Sequence, residues 1–396
     1  MSRESFATLR DYCLLGRTEV RRRRSQVRDQ KSDVRSPRSE VEVSPAKPKP
    51  GATEDVKTEQ RIIDDGPRTP IDIALLGFGN VGSSFARYVT ASENPDLEVR
   101  IRGVADSTGG VLLDSPEDLP RLLAHKHAGR SVSDFSPHRI SDTREFIASV
   151  QSSGVHALVE SLPTNLVDGQ PALDLLSQAL ETGMNVVTAD KGPLVHGFDV
   201  LKKAAEAGRS QIAYSGTTGV PIPDELISES VLEIRGVLNG TTNYILTEMQ
   251  ERGISFEEAL ARAQADGIAE PDPGLDVNGW DTACKILILA KSLMGAESRL
   301  AEVSRLGLGP ETEWLIGEAR ARNCIVRLIG RARIWHGRVR VSVAPKLLPP
   351  DSPFFTVTGT SKAAVFRTQR VQIVSHARSG RDAIARTLLD DLARIV

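Results

Sequence analysis

The feature that most constrains the fold is a glycine-rich turn between an apolar run and a helical pattern. The apolar run at residues 71–76 leads into Gly77, Gly79 and Gly82, and residues 83–91 then show the pattern of a helix. The first glycine permits a tight turn, the second lets the backbone approach a bound group, and the third lets helix and strand pack closely. This arrangement predicts a strand–turn–helix unit whose helix N-terminus attracts phosphate.

An acidic residue ends the next predicted strand. That strand spans residues 97–105 and is followed by Asp106, where dinucleotide-binding folds use a carboxylate to accept hydrogen bonds from ribose hydroxyls. This context favours a dinucleotide site over a glycine-rich turn without a ligand. Because no Arg or Lys directly follows Asp106, the pattern favours NAD, although a basic residue distant in sequence can still reach the 2′-phosphate of NADP. The residues expected to bind the cofactor here are Gly77, Phe78, Gly79, Asn80, Val81, Gly82 and Asp106.

Buried-type strands alternate with helical stretches further along the chain. Strand patterns occur at residues 156–160, 185–188 and 211–214, and strands that alternate with helices indicate a parallel sheet. Residues 325–345 differ, because two alternating runs flank Gly337 as in a hairpin. The predicted fold is therefore α/β, with a Rossmann-like dinucleotide-binding domain and a second α/β domain for catalysis and dimerisation.

Composition and charge exclude several other classes of protein. The net charge is −2 and the three cysteines are far apart without a CxxC pair, which argues against nucleic-acid binding, a disulfide framework and a structural zinc site. No apolar run reaches the roughly 20 residues that a membrane-spanning helix needs, so we expect a cytoplasmic protein. The N-terminal segment is too polar to bury a core; its run of four arginines at residues 21–24 leaves a nucleic-acid-binding arm as the alternative.

The domain boundaries follow from these patterns. We expect a disordered polar extension at 1–69, a dinucleotide-binding domain at 70–212 completed by 370–396, a catalytic domain at 213–310, and a β-rich dimerisation segment at 311–369.

A dense group of carboxylates precedes the longest apolar helix pattern. Glu270, Asp272, Asp276 and Asp281 surround two prolines, and so many like charges are costly unless cations lie among them. Asp281 and Lys285 are four residues apart and share one helix face. The apolar helix that continues beyond Lys285 indicates that this lysine lies near the protein core; an ordinary exposed ion pair is the alternative.

The same stretch carries a resemblance to a known family. Residues 263–285 resemble the homoserine dehydrogenase signature, with Asp-x-x-Gly-x-Asp-x-x-x-Lys at its end, and three further segments are similar in the same order: 77–82, 188–193 and 238–245. The resemblance covers residues 70–396. It implies a homodimeric, NAD(P)-dependent enzyme that interconverts L-homoserine and aspartate 4-semialdehyde in threonine, methionine and isoleucine biosynthesis. A related dehydrogenase for another amino-acid-derived semialdehyde, or more remotely a nucleotide-sensing regulator, remains the alternative.

The resemblance also implies roles for individual residues. Lys285 would exchange the proton of the substrate hydroxyl. Lys191 would be a second catalytic lysine between nicotinamide and substrate, and would also bind the cofactor. Asp281 would belong to the catalytic group and, with Glu270 and Asp276, would bind the substrate. Since like charges disfavour each other's ionised forms, we expect the two lysines to lower each other's pKa.

Three positions depart from the family pattern. Asp190 replaces the usual asparagine before Lys191, and its charge should raise the pKa of that lysine. Ser215 stands where many members have glutamate, in a loop that often carries a monovalent cation, so a Na⁺ or K⁺ site and the identity of any metal stay open. Residues 375–380 replace the usual Gly-Pro-Gly-Ala-Gly segment.

Overall fold

The structure, a computed structural model, describes residues 70–91, 97–226, 229–378 and 381–396. The polar extension expected at residues 1–69, including the run of arginines, lies outside the described residues.

The first part of the fold is a six-stranded sheet in the order β3-β2-β1-β4-β5-β6. All neighbouring pairs are parallel except β2 and β3, which are antiparallel. The chain leaves β1 towards β2 and later returns to β4 on the other side of β1, so the ends of β1 and β4 flank a topological switch point, where α/β sheets bind ligands. The elements in chain order are β1 (Ile71–Leu76), α1 (Asn80–Ala91), β2 (Val99–Asp106), β3 (Gly109–Leu112), α2 (Asp118–His127), α3 (Thr143–Ser152), β4 (Ala157–Glu160), α4 (Ala172–Glu181), β5 (Asn185–Thr188), α5 (Lys191–Gly208), β6 (Ile212–Ala213) and α6 (Ser215–Thr218).

The second part is another six-stranded sheet, in the order β12-β11-β7-β9-β10-β8. Its neighbours are antiparallel except for β8 and β10, and β9 and β10 form the hairpin predicted around Gly337, whose φ is +75°. The elements are β7 (Glu233–Val237), α7 (Gly240–Arg252), α8 (Phe256–Ala265), α9 (Gly274–Val277), α10 (Trp280–Met294), β8 (Ser304–Arg305), α11 (Thr312–Arg320), β9 (Ile325–Trp335), β10 (Arg338–Leu348), β11 (Ser361–Arg367), β12 (Gln372–Arg378) and α12 (Arg381–Ile395).

Helix α10 packs directly on the second sheet. A side chain at Gly330 of β9 would come within 3.1 Å of Thr282 and Ile286, so glycine at this position permits the close approach of helix and strand. Residues 282–290 of α10 are buried except for Lys285, which is half-buried. The first turn of α10 is thereby held at a fixed place on the sheet.

The α/β class with a Rossmann-like sheet is confirmed, but the expected internal boundaries differ from the structure. Strands β7 and β8, from the segment 213–310, pair with β9, β10 and β11 from the segment 311–369. These segments share one hydrogen-bonded sheet, so residue 310 does not separate two layers. Strand β12 also joins this sheet, whereas α12 packs in the core of the first sheet through Leu388 and Leu392. The C-terminal segment that completes the dinucleotide-binding domain therefore begins with α12 and not at residue 370.

Within the described part of the chain, no helix is long and apolar enough to cross a membrane. Cys284 and Cys324 are free thiols, while Cys13 lies outside the described residues. Among those residues no group of three His, Cys, Asp or Glu side chains is arranged to hold a metal ion.

Candidate active site

The glycine-rich turn lies at the switch point of the first sheet. Gly77 has a φ of +101°, and a side chain there would lie 2.6 Å from the carbonyl of Ser161, at the end of β4. A side chain at Gly82 would lie 2.0 Å from the carbonyl oxygen of Gly77, whereas one at Gly79 would meet no atom within 4 Å. Gly77 and Gly82 therefore close the turn, and Gly79 leaves open space at the N-terminus of α1, where the residues fit a pyrophosphate.

The remaining residues of the turn differ in exposure. Phe78 is only 1% exposed and its ring belongs to the core of the first sheet, so its side chain is not available to a cofactor. Asn80 is exposed and Val81 is half-buried. Ser83 supports the turn, because its hydroxyl donates to the Phe78 carbonyl at 3.1 Å.

Asp106 ends β2 and has a basic partner. Its Oδ1 accepts from the backbone N–H and hydroxyl of Thr108 at 2.9 and 2.6 Å, and Oδ2 accepts from Nζ of Lys126 at 2.5 Å. Burial raises the pKa of Asp106, but the hydrogen bonds from Lys126 and Thr108 outweigh it and the pKa is lowered. Lys126 was missed from the sequence because it lies on α2, and nothing in its pattern shows that this helix returns to the end of β2.

Asp281, in the first turn of α10, lies between two lysines. Lys285 Nζ donates to Asp281 Oδ2 at 2.6 Å and to the Leu238 carbonyl at 2.9 Å. Lys191 Nζ lies 3.6 Å from Asp281 Oδ1, and the Asp281 side chain is only 13% exposed. Lys191 is the first residue of α5. The structure therefore brings together the three residues expected to carry the catalytic chemistry.

The charges in this group stabilise one another. Burial raises the pKa of Asp281, but Lys285, Lys191 and a hydrogen bond from Asn239 hold it below its ordinary value. Burial lowers the pKa of Lys191, yet its net pKa is raised because Asp281, and to a lesser extent Asp190, favour the charged form. The expectation that a neighbouring lysine would lower the pKa of Lys191 is therefore wrong, since Asp281 lies between the ammonium groups; the expected effect of Asp190 is confirmed.

Asn239 holds the two inner carboxylates. Its Nδ2 donates to Asp276 Oδ1 at 2.7 Å and to Asp281 Oδ2 at 2.8 Å, while its Oδ1 accepts from the Thr242 N–H at 2.8 Å as the cap of α7. Burial and repulsion by Asp281 raise the pKa of Asp276. Asn239 was not predicted as a site residue, although an asparagine directly before a helix is a recognisable capping signal.

Glu270 is not brought into this group. It is exposed, in the loop between α8 and α9, and its backbone carbonyl accepts from the Gln264 side chain at 3.2 Å. Among the described residues its carboxylate forms no ion pair with either site lysine. Pro271 and Pro273 keep this segment out of a regular helix, which explains why sequence proximity to Asp276 does not become contact.

The loop after β6 lies against Lys285. Gly219 has a φ of +74°, and a side chain there would lie 3.4 Å from Lys285 Nζ. Ser215, which stands where many family members have glutamate, donates its N–H to Asp391 Oδ2 at 2.7 Å. A carboxylate thus reaches this loop from α12, and burial raises its pKa. Residues 375–380 also depart from the family pattern, and residues 379–380 of this segment lie outside the described residues.

Asp190 and Glu160 are two buried carboxyl groups that interact electrostatically. Asp190 caps α5 by accepting from the Gly192 N–H at 2.9 Å. Glu160, at the end of β4, is fully buried and accepts from the Leu162 N–H at 2.6 Å and from the Thr188 hydroxyl. Burial and the nearby Asp190 raise the pKa of Glu160 to about 8, and burial raises the pKa of Asp190. Glu160 is therefore mainly protonated at neutral pH.

Cys284, next to Lys285 in the sequence, is not a nucleophile at this site. Burial and the neighbouring Asp281 raise the pKa of its thiol to about 12, and a nucleophilic cysteine needs the thiolate form. Cys284 is fully buried and packs α10 against its surroundings.

Comparisons with known proteins agree with this geometry. The homoserine dehydrogenase family model matches residues 221–393. A homoserine dehydrogenase of Methanocaldococcus jannaschii is 32% identical over 82% of this chain and 98% of its own length, and an NAD(+)-dependent homoserine dehydrogenase of Pseudomonas canavaninivorans is 33% identical over 83% and 96%. The crystal structure of a candidate homoserine dehydrogenase from Archaeoglobus fulgidus superposes with a TM-score of 0.71 at 29% identity, covering 82% of this chain and 99% of that one. The chain belongs to the homoserine dehydrogenase family.

Proposed function

We propose that this chain is an NAD(P)-dependent homoserine dehydrogenase that interconverts L-homoserine and aspartate 4-semialdehyde. The observation that carries the proposal is the position of Asp281 between Lys285 and Lys191. Lys191 follows β5 directly, and the glycine-rich turn follows β1 in the same parallel sheet. The lysine group and the open space at Gly79 therefore lie at the same edge of the sheet, as a reaction between cofactor and substrate requires.

The nicotinamide ring, when bound, accepts or supplies the hydride. The residues that would hold the cofactor are those around the open space at the start of α1, with Asp106 at the ribose. The NAD(+)-dependent relative supports a nicotinamide cofactor. Because Lys126 reaches Asp106, the pocket offers a carboxylate for ribose hydroxyls and an ammonium for a 2′-phosphate, so we expect both NAD and NADP to bind.

Lys285 is positioned to move the proton of the substrate hydroxyl. Oxidation of an alcohol removes a hydride from carbon and a proton from oxygen, and a group near the oxygen must take the proton. Neutral Lys285 takes it in the oxidation direction, and its ammonium form returns it to the oxygen when the aldehyde is reduced. Asp281 and the Leu238 carbonyl fix the direction of Nζ through their hydrogen bonds. Lys191, whose raised pKa keeps it charged, stabilises the alkoxide character of that oxygen.

The acidic side chains would bind the substrate ammonium. Asp276 has no ion-pair partner within the described residues, and repulsion from Asp281 contributes to its raised pKa. A bound ammonium would relieve this repulsion and lower the pKa again. Glu270 remains a predicted ligand of the substrate ammonium. It is exposed in the loop that precedes Asp276 and would have to move towards the substrate to bind it.

We further propose a homodimer that forms through the β-rich segment 311–369. Three large apolar side chains in this segment are exposed: Trp314 at 43%, Ile334 at 46% and Trp335 at 45%. Exposed apolar surface of this kind is typical of interaction sites. Light scattering should give twice the chain mass at micromolar concentration, and a monomer would contradict the dimer without affecting the catalytic proposal.

A monovalent cation and a cytoplasmic location stay expectations of the same proposal. The family resemblance implies a Na⁺ or K⁺ site near the loop after β6, where the Ser215 N–H donates to Asp391. Replacing sodium and potassium by choline in the assay measures this dependence directly. Fractionation of cells that express the tagged chain measures its location.

The function is tested with a panel of substrates under both cofactors. Initial rates are measured from the absorbance of reduced nicotinamide with L-homoserine, its longer and shorter homologues, and the corresponding semialdehydes. The proposal predicts the highest kcat/KM for L-homoserine and aspartate 4-semialdehyde. A higher value for another semialdehyde would favour the alternative dehydrogenase. The nucleotide-sensing regulator predicts cofactor binding without turnover of any member.

A further inference from the structure

Lys362 points to the sheet face that carries α10. A side chain at Gly330 would touch α10 at 3.1 Å, which identifies this face. Gly330 pairs with Gly236, and Gly236 pairs with Ala364, in antiparallel neighbours; directly paired residues project to the same face. Lys362 precedes Ala364 by two residues on β11 and therefore shares its face. The side chain thus lies on the side of Asp281 and its two lysines.

The strand register also places Lys362 close to Leu238, whose carbonyl contacts Lys285. Ala363 of β11 pairs with Val237, the last residue of β7, and the two strands are antiparallel. Lys362 therefore lies beside Leu238, the residue that follows β7. The Leu238 carbonyl accepts the hydrogen bond from Lys285 Nζ at 2.9 Å. Lys362 therefore lies near the Lys285 ammonium, with which it interacts electrostatically, and so near the proposed position of the substrate hydroxyl.

The ammonium of Lys362 interacts with charges of both signs on α10. Burial lowers its pKa to about 8, and the positive charge of Lys285 contributes to this, while Asp281 acts in the opposite sense. Within the part of the chain that the structure describes, no carboxylate forms an ion pair with Lys362, and the nearest acid to influence it, Asp281, already contacts Lys191 and Lys285. A half-buried cation in this position is costly unless an anion arrives from outside.

We propose that Lys362 binds the α-carboxylate of the amino-acid substrate and thereby selects amino acids over simple amino alcohols. The inference rests on the proposed function. The substrate carries a hydroxyl, an ammonium and a carboxylate; the first is matched by Lys285 and Lys191 and the second by Asp276. Lys362 supplies the remaining charge, since a carboxylate beside it would offset both its burial and its repulsion from Lys285.

The test compares L-homoserine with 3-aminopropan-1-ol, which is the same molecule without its carboxylate. Lys362→Met should raise KM for L-homoserine by about 10²-fold, the effect expected for an unpaired charge in a partly buried site, with a much smaller change in kcat. The kcat/KM for 3-aminopropan-1-ol should change far less than the kcat/KM for L-homoserine, and the affinity for NADPH should be retained. Lys203→Met, on the exposed face of α5, is the matched control. Thermal denaturation checks that each variant is folded.

A pH series separates charge from shape. The groups that interact with Lys362 are Lys285 and Asp281 of α10. As pH rises through about 8, Lys362 loses its proton, so the wild-type KM for L-homoserine should increase. Lys362→Arg keeps its charge and should show a flat KM over the same range. Calorimetric binding of L-homoserine to the enzyme with NADPH should follow the same pattern without turnover.

The outcomes distinguish this inference from the proposed function. If the wild type does not turn over L-homoserine, the proposed function fails. If the wild type is active and Lys362→Met keeps a normal KM for L-homoserine, only the inference is wrong. An equal loss with both substrates would also contradict it, because Lys362 would then act on something other than the carboxylate.

Discussion

Lys191 Nζ lies 3.6 Å from Asp281 Oδ1, and this contact links the two sheets of the molecule. Lys191 begins α5 directly after β5 of the first sheet, while Asp281 lies in the first turn of α10, which packs on the second sheet. The first sheet would hold the cofactor and the second carries Lys285. The ion pair therefore fixes the nucleotide-binding part against the proton-transferring part.

Lys191→Ala should reduce kcat by about 10²-fold, because a charged donor at a developing alkoxide typically contributes this much. Binding of NADPH should change little, since the pyrophosphate turn is untouched. Lys202→Ala, on an exposed position of the same helix, is the control. Steady-state rates with L-homoserine provide the measurement; a variant with normal kcat would show that Lys191 has no role in the chemical step.

Gly79→Ala should weaken cofactor binding, whereas Gly82→Ala should lower the free energy of unfolding. A side chain at Gly79 enters open space, so this variant should keep its stability within about 0.5 kcal/mol and lose cofactor affinity by tenfold or more. A side chain at Gly82 would lie 2.0 Å from the Gly77 carbonyl oxygen, so this variant should lose about 1–3 kcal/mol of unfolding free energy. Urea denaturation and NADPH fluorescence titration measure the two effects; unchanged NADPH binding by a folded Gly79→Ala would remove the turn from the cofactor site.

Lys126→Gln should change cofactor selectivity. The substitution removes the ammonium that Asp106 holds, and the unneutralised carboxylate should then repel a 2′-phosphate. Affinity for NADPH should fall roughly tenfold while affinity for NADH changes little. Arg121→Gln, on the same helix and more exposed, is the control. Equal losses for both cofactors would indicate a structural role for Lys126.

The Glu160 and Asp190 pair should make stability depend on pH. The folded state holds the Glu160 proton up to about pH 8, whereas the ordinary pKa is 4.5. The native state therefore binds more protons than the unfolded state between these values, and unfolding free energy falls as pH rises through this window. Glu160→Gln should reduce the loss between pH 6 and 8 by up to about 2 kcal/mol.

Asp190→Asn removes the charge that repels Glu160 but keeps a side-chain oxygen to cap α5. It should also reduce the pH dependence, to a smaller extent than Glu160→Gln. Denaturation of each variant at pH 6 and 8 is compared with that of Glu181→Gln, an exposed carboxylate on α4. Parallel pH profiles for the wild type and Glu160→Gln would exclude the protonated pair.

Local patterns were sufficient for the parts of the fold that local physics determines. The glycine turn, the alternation of strands and helices, and the hairpin at Gly337 follow from backbone freedom and hydrophobic periodicity. Local patterns did not predict that β7, β8 and β12 belong to one sheet with β9, β10 and β11, because strand pairing over long sequence distances depends on the whole core. A boundary at residue 310 was reasonable from the pattern and differs from the hydrogen-bonded sheet.

The site divides in the same way. The spacing of Asp281 and Lys285 on one helix face predicted their contact, and the family resemblance supplied Lys191. Three other side chains were missed as functional because tertiary structure alone brings them to the site: Lys126, Asn239 and Lys362. Glu270 shows the converse, since its closeness in sequence to Asp276 is not closeness in space.

Proton transfer by Lys285 is tested by comparing the turnover of L-homoserine by Lys285→Ala and the wild type, with NADPH affinity measured in the same preparations. We expect the wild type to form reduced nicotinamide with L-homoserine, and the kcat of the variant to fall by 10²-fold or more while its NADPH affinity is retained. Lys291→Ala, near the end of the same helix, should behave as the wild type. Near-normal turnover by Lys285→Ala would contradict the assignment of proton transfer to this lysine.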